Sequence, residues 1–195
     1  GAVGTATSLV FAHNVAPTVS LGAAKLVSEG EIKEFVAEIE DPGALDNHTF
    51  TWFFEPNKPL DGDRAVAFAY ADEGRYTLTV EVDDYDGGVS TASVLVVVEN
   101  VAPSVDAGAD QTADEGETVR FSGSYVDPGP LDTHTIVWDF GDGHQARNTV
   151  FPEHVYENDG DFTVSLTVPD NDGAIGADSI VVRVVNKAPI VQIED

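Results

Sequence analysis

Asn14-Val15-Ala16-Pro17 returns as Asn100-Val101-Ala102-Pro103, and again as Asn186-Lys187-Ala188-Pro189. From 14 to 100 and from 100 to 186 the interval is the same, 86 residues. That offset carries Asp41-Pro42-Gly43 to Asp127-Pro128-Gly129, Asp46 to Asp132, and His48-Thr49 to His134-Thr135. It also carries Trp52 to Trp138, Tyr70 to Tyr156, Gly74 to Gly160, and Asp84, Asp86, Gly87 to Asp170, Asp172, Gly173, with no gap. Self-similarity at a fixed period is the mark of a repeat architecture. Residues 14–99 form one repeat and 100–185 a second. Doubling the offset aligns Gly1-Ala2-Val3-Gly4 with Gly173-Ala174-Ile175-Gly176. Residues 1–13 are therefore expected to be the last strand of a preceding repeat, and 186–195 the first strand of a following one, in a longer tandem array.

Within a repeat the hydrophobic period is two. Thr77-Leu78-Thr79-Val80-Glu81-Val82 and Thr163-Val164-Ser165-Leu166-Thr167-Val168 alternate polar and apolar, as half-buried strands do. Val94–Val98 and Ile180–Val185 are β-branched runs and predict a more fully buried strand. Turn signals recur at Glu29-Gly30, Asp41-Pro42-Gly43, Asp86-Gly87, Asp142-Gly143 and Asp172-Gly173. No window has the period of an amphipathic helix. About seven short strands in fewer than about 90 residues predicts an immunoglobulin-like sandwich, with Trp52 and Trp138 mid-strand in its core. The fold class is all-β: tandem immunoglobulin-like sandwiches.

Composition narrows the function. The chain of 195 residues has 35 Asp and Glu against 9 Lys and Arg, a net charge of −26, with 42% hydrophobic residues. The apolar fraction supports a packed core. The charge repels phosphate backbones and anionic lipid, which argues against nucleic acid and membrane surfaces as partners. It attracts cations. There is no Cys, so disulfides and thiolate zinc sites are excluded. No apolar run is long enough to cross a bilayer.

The residues resemble a known family. Trp138-Asp139-Phe140-Gly141-Asp142-Gly143 is similar to the signature of PKD (polycystic kidney disease) domains. His154-Val155-Tyr156, Gly160, Phe162, Val164, Leu166, Val168, Asp170 and Asp172-Gly173 fit that family's second signature. The resemblance covers nearly the whole chain. Repeat 1 departs from it at Trp52-Phe53-Phe54-Glu55-Pro56-Asn57, which lacks the glycine-aspartate-glycine turn. The family implies a β-sandwich of bacterial and archaeal surface proteins, or an accessory module of secreted proteases, chitinases and other polysaccharide-degrading enzymes. Spacing, adhesion and help in binding insoluble substrate are the implied jobs, and an extracellular or cell-surface location the implied setting. Tyr76 offers the hydroxyl of a tyrosine corner, which its counterpart Phe162 lacks, so that corner is expected to be dispensable.

The acidic loops carry the candidate chemistry. In an immunoglobulin-like topology Asp41 and Asp46 share one end of the sandwich with Asp84 and Asp86, and Asp127 and Asp132 share it with Asp170 and Asp172. Converging carboxylates repel unless a cation intervenes. Calcium, which takes about 6–8 hard oxygen ligands in loose geometry, is the expected cofactor. The chain direction places the Glu99-Asn100 linker near Asp127, Asp132, Asp170 and Asp172, and Asn100 joins the candidate ligands. Glu29 and Asp72-Glu73, in turns at the other pole of repeat 1, are placed to face the same gap. The layout is analogous to the calcium-stiffened joints of cadherin arrays. Taken singly, Asp86-Gly87, Asp172-Gly173 and Asp41-Pro42-Gly43 are ordinary turns. Asp170-Asn171-Asp172-Gly173 opens like an EF-hand loop, but no glutamate follows at the required spacing.

His48 and His134 are expected to hydrogen-bond a neighbouring carboxylate or the backbone, while His144 and His154 flank a strand of repeat 2 only. No nucleophile elbow or phosphate loop is present. Duplicated carboxylates in shallow turns do not suit glycoside hydrolysis. The reading is therefore a non-catalytic, monomeric spacer or adhesion segment whose first partners are neighbouring repeats of the same chain. The alternative is a module that binds polysaccharide or a surface protein for a secreted hydrolase, using aromatics such as Phe53, Phe54, Tyr85 and Phe151. Either Phe53 or Phe54 must face outward, because neighbours on a strand point oppositely.

Overall fold

The computed structural model describes residues 8–9, 13–43 and 46–188, and every regular element among them is a strand. The chain divides into two compact units: Gly1–Val27, Ile32–Ala69 and Gly74–Val98 form the first, and Ser28–Glu31, Tyr70–Glu73 and Glu99–Asp195 the second. Two short turns written in repeat 1 thus pack as part of the second unit. The expected strand over residues 1–13 falls largely outside the described residues, as does that over 186–195 beyond Ala188.

In the first repeat the strands are β1 (Thr18–Ser20), β2 (Lys25–Ser28), β3 (Lys33–Val36), β4 (Glu38–Glu40), β5 (Thr49–Glu55), β6 (Lys58–Gly62), β7 (Ala65–Phe68), β8 (Gly74–Asp83) and β9 (Val89–Glu99). A five-stranded sheet runs β2-β9-β8-β5-β6, and two ladders, β1-β4 and β3-β7, supply the rest. The second repeat follows the same plan with β10 (Ser104–Asp106), β11 (Gln111–Asp114), β12 (Thr118–Arg120), β13 (Ser124–Val126), β14 (Val137–Asp139), β15 (Gln145–Arg147), β16 (Glu153–Val155), β17 (Gly160–Pro169) and β18 (Ile175–Val185). Its sheet runs β11-β18-β17-β14-β15, beside the ladders β10-β13 and β12-β16. In the second repeat β18 pairs antiparallel with β17 and parallel with β11.

Nine strands per repeat, rather than about seven, arise because the first strand breaks into β1 and β2 (β10 and β11) and the second into β3 and β4 (β12 and β13), the halves of each joining different sheets. Gly22 (φ 72°) lies between β1 and β2, and Gly108 (φ 91°) between β10 and β11, a backbone turn that L side chains rarely adopt. The core is built from alternate residues of both layers. In the second repeat Val119 and Phe121 meet Trp138, Phe140, Val164, Leu166, Val168, Ile180, Val182 and Val184. Trp52 and Trp138 are fully buried, and each indole nitrogen donates to a main-chain carbonyl, of Asp63 at 3.0 Å and Thr149 at 3.1 Å. The β-branched runs are less buried than expected. Val94, Val96 and Val98 point into the core, but Leu95 and Val97 are half-buried, and Val181 and Val185 are exposed. Only one face of each five-stranded sheet is covered by the opposing ladders, so even an all-apolar run is buried at every second residue.

Candidate cation site

The last hairpin of each repeat is organised by one carboxylate. Asp84 Oδ1 accepts main-chain N–H groups from Asp86 at 2.9 Å and Gly88 at 2.8 Å, while Asn14 Nδ2 donates to its Oδ2 at 2.8 Å. Asp170 Oδ1 accepts from Asp172 (2.9 Å), Gly173 (2.7 Å) and Ala174 (2.9 Å), and Asn100 Nδ2 donates to its Oδ2 at 3.1 Å. Both groups are buried. The asparagine and then the turn amides hold Asp84 below the usual carboxylate range. Burial pushes Asp170 upward, but the Asn100 amide and three turn N–H groups together outweigh it and leave the group lowered.

The connection from β4 to β5, and its counterpart from β13 to β14, contribute a second loop. Asp41 Oδ1 accepts the Gly43 N–H at 2.7 Å and its Oδ2 meets His48 Nε2 at 2.7 Å. Asp127 does the same with Gly129 at 2.8 Å and His134 at 2.7 Å. The histidines take the orienting role expected of them, and one more is found: His154 Nε2 meets Asp142 Oδ2 at 2.7 Å, its ring stacked on Phe140.

These loops bring the acids together. In the first unit Asp41, Asp46 and Asp84 each place an oxygen within 4.8 Å of the others. Asp86 is not in that triad; it is exposed and lines the adjoining depression with Asn14, Pro42, Gly43 and Asp46. In the second unit Asp127, Asp132 and Asp170 form the equivalent triad, and exposed Asp172 groups instead with Asp72 and Glu73. Glu29, Asp72 and Asp132 form a further triad in that unit. Of the sequence-derived ligands, then, six carboxylates converge in two triads, Asn100 holds one of them, Asp172 joins a different group with Asp72 and Glu73, and Asp86 belongs to none.

Asp132 is the least satisfied of these groups. Both its carboxylate oxygens are buried with no hydrogen-bond partner, as are Glu29 Oε2 and Asn100 Oδ1. Glu29 is 1% exposed, and its Oε1 accepts the Val101 N–H at 2.7 Å. Burial first, then the charges of Asp127, Asp172, Asp170 and Asp72, raise the Asp132 carboxyl. Burial likewise raises Glu29 against the pull of the Val101 N–H, and raises Asp46 together with its neighbour Asp41. A hydrogen bond with Asp72, followed by burial, pushes Glu73 up to about 7. Sequence reasoning left Asn14 out of the site, although the 86-residue offset from Asn100 points straight to it.

A family model described as PKD domain matches residues 14–98 and 100–185. The chain belongs to the PKD domain family. Its curated relatives include collagenase ColA of Clostridium perfringens, 30% identical over 103 residues, which are 53% of this chain and 9% of the relative. The microbial collagenase of Vibrio alginolyticus is 36% identical over 78 residues, 40% of this chain and 9% of the relative. This PKD chain therefore spans under a tenth of the length of either collagenase. Among solved structures, the PKD1 domain of Vibrio anguillarum Epp is 28% identical, with 46% of this chain and 100% of that one covered at a TM-score of 0.37.

Of the aromatics considered for ligand binding, Phe54 is buried and Phe53 half-buried, as strand alternation requires. Tyr85, in the first unit, and Phe151, in the second, are each about two-thirds exposed (68% and 67%). Among the described residues neither unit presents a second aromatic exposed to that degree.

Proposed function

We propose that this chain is a non-catalytic, extracellular spacer or adhesion segment whose acidic loops bind calcium, and that calcium stiffens the tandem array. The observation that carries this reading is Asp132 with both oxygens buried and unpartnered amid Glu29, Asp127 and Asp170. A buried carboxylate without a partner is costly, and hard oxygen donors at this density suit calcium. The triads recur in both repeats at positions where their oriented hydrogen bonds leave lone pairs free. Millimolar calcium, compared with chelator, is expected to raise the melting temperature and to lengthen the particle in small-angle scattering. Identical melts and profiles in the two conditions remove calcium from the reading and leave a plain spacer.

The second reading is an accessory module that binds substrate for a secreted hydrolase, with a polysaccharide or a surface protein as partner. The relatives named collagenases favour it, because this chain matches a small part of each. Retention on collagen, chitin or cellulose, weakened by Tyr85→Ala or Phe151→Ala, supports it. Passage through all three columns unretarded refutes it.

A further inference from the structure

Asp132 belongs to two triads at once, one with Asp127 and Asp170 and one with Glu29 and Asp72, and all five residues lie in the second compact unit. We propose that two calcium ions bind there, bridged by the Asp132 carboxylate, one oxygen to each ion; the proposal rests on the calcium reading above. Four observations converge on it. Both Asp132 oxygens are buried without a protein partner, so the group contributes no hydrogen bond to the fold that would otherwise explain its place. Glu29, 1% exposed, spends one oxygen on the Val101 N–H and turns the other, buried and unpartnered, toward Asp72 and Asp132. Asn100 Nδ2 is committed to Asp170, which leaves its buried Oδ1 as a neutral donor beside the first triad. Asp127 and Asp170 are fixed from behind by His134 and by the hairpin amides, the outer-shell orientation that ligating carboxylates need.

Charge decides between one ion and two. Five carboxylates carry five negative charges; one calcium leaves three uncompensated, and a pair leaves one. Carboxylates this close and this buried repel strongly at the low effective dielectric of such a site. The remaining group of Asp72, Glu73 and Asp172 does not demand a third ion, since Glu73 already hydrogen-bonds Asp72. Among the described residues of the first unit Asp46, the counterpart of Asp132, enters one triad, with Asp41 and Asp84. That unit is assigned one ion.

The test is a count. Native mass spectrometry and equilibrium dialysis of the whole chain, stripped with chelator and returned to saturating calcium, should give three ions. Asp132→Ala should hold one, because the shared ligand serves both ions. Glu29→Gln should hold two at the same free calcium. Asp132→Ala losing a single ion, or Glu29→Gln losing none, overturns the bridge while leaving calcium binding intact. A wild-type chain that binds no calcium overturns the calcium reading itself. Misfolding is checked by circular dichroism and urea melts in chelator, where both variants should match or exceed the wild type, since each removes charge from an unpartnered oxygen. A variant that is less stable than wild type under chelator shows that Asp132 or Glu29 supports the fold directly, and counts against the bridge.

Discussion

Replacing Asp170 separates the two jobs its carboxylate holds. Its Oδ1 accepts three main-chain N–H groups of the turn and its Oδ2 accepts Asn100, all between 2.7 and 3.1 Å. Hydrogen bonds to a charged group contribute about 1.5–3 kcal/mol each. The turn residues Asn171–Gly173 are exposed, so water restores part of what Asp170→Ala removes. A net loss of about 3–5 kcal/mol is expected, lowering the melting temperature of the second unit by roughly 15–30 °C. Asp170→Asn keeps one acceptor oxygen for the turn amides, and Asn100 can rotate its amide to oblige the new NH2 group. Its cost falls to about 1–2 kcal/mol. Calcium affinity should nevertheless fall by a similar factor in both variants, because the charged ligand is lost in each. The assay is urea unfolding in chelator followed by indole fluorescence, in a Trp52→Phe background so that buried Trp138 alone reports. Asp170→Ala within about 1 kcal/mol of the parent in chelator would show that the hairpin amides do not depend on this carboxylate.

In chelator, stability should peak near pH 4–5 and fall toward pH 7. Glu73 (raised from 4.5 to about 7), Asp132, Glu29 and Asp46 bind protons more tightly in the fold, so the folded state holds more protons across that window and loses stability as they leave. Below the ordinary 3.8 the lowered Asp84 and Asp170 take over, and stability falls again on acidification. Scanning calorimetry from acid to neutral pH checks both slopes, and saturating calcium should flatten the upper one. Tyr156→Phe should cost about 1–2 kcal/mol in thermal denaturation, because the buried hydroxyl donates to the Phe140 carbonyl at 3.0 Å and leaves it unpaired when removed. Gly30 (φ 68°) and Gly116 (φ 75°) hold equivalent turn positions, yet a methyl on Gly30 would overlap the Pro128 carbonyl oxygen and stand 2.9 Å from its carbon, while one on Gly116 meets nothing within 4 Å. Gly116→Ala should cost only the left-handed strain of about 1–2 kcal/mol; Gly30→Ala should cost more and also weaken calcium binding in a titration, by displacing Glu29.

The sandwich was legible in the sequence because its signals are local. Alternation at Leu78-Val80-Val82 and Val164-Leu166-Val168 gave the central strands, and the two tryptophans marked the core. The convergence of Asp127, Asp132 and Asp170 followed from topology once the repeat was seen. Three things were not legible. The apolar runs in β9 and β18 concealed a solvent-facing side, because composition does not say how many faces of a sheet are covered. Asp86 and Asp172, in the strongest turn signals, proved to be exposed residues whose main-chain N–H groups serve the first aspartate of the hairpin, and neither joins the triad of its own repeat's loops. In repeat 2 a hydroxyl anchor comes instead from Tyr156, the counterpart of Tyr70 and six residues ahead of Phe162, whose ring stacks on it at 4.3 Å.

Glu29 shows why such a site resists prediction from local sequence. Its counterpart at the 86-residue offset is Glu115, in the same kind of turn with the same glycine after it. The two residues make the same pair of links. Glu29 N–H donates to the Glu99 carbonyl and its Oε1 accepts the Val101 N–H; Glu115 N–H donates to Val185 and its Oε1 accepts the Lys187 N–H. Local sequence therefore specifies a glutamate that grips the linker two residues past the end of its repeat's last strand. Burial is another matter. Glu29 is 1% exposed, and what covers it comes from outside its own turn. Over Glu29 sits the loop of Pro128, Gly129 and Asp132. A glutamate that grips a linker is an ordinary solvated turn residue until an acidic loop closes on it. Only then does its second oxygen become a buried charge that calls for a cation, so the chemistry of this site is written in the spacing of the repeats and in neither turn alone.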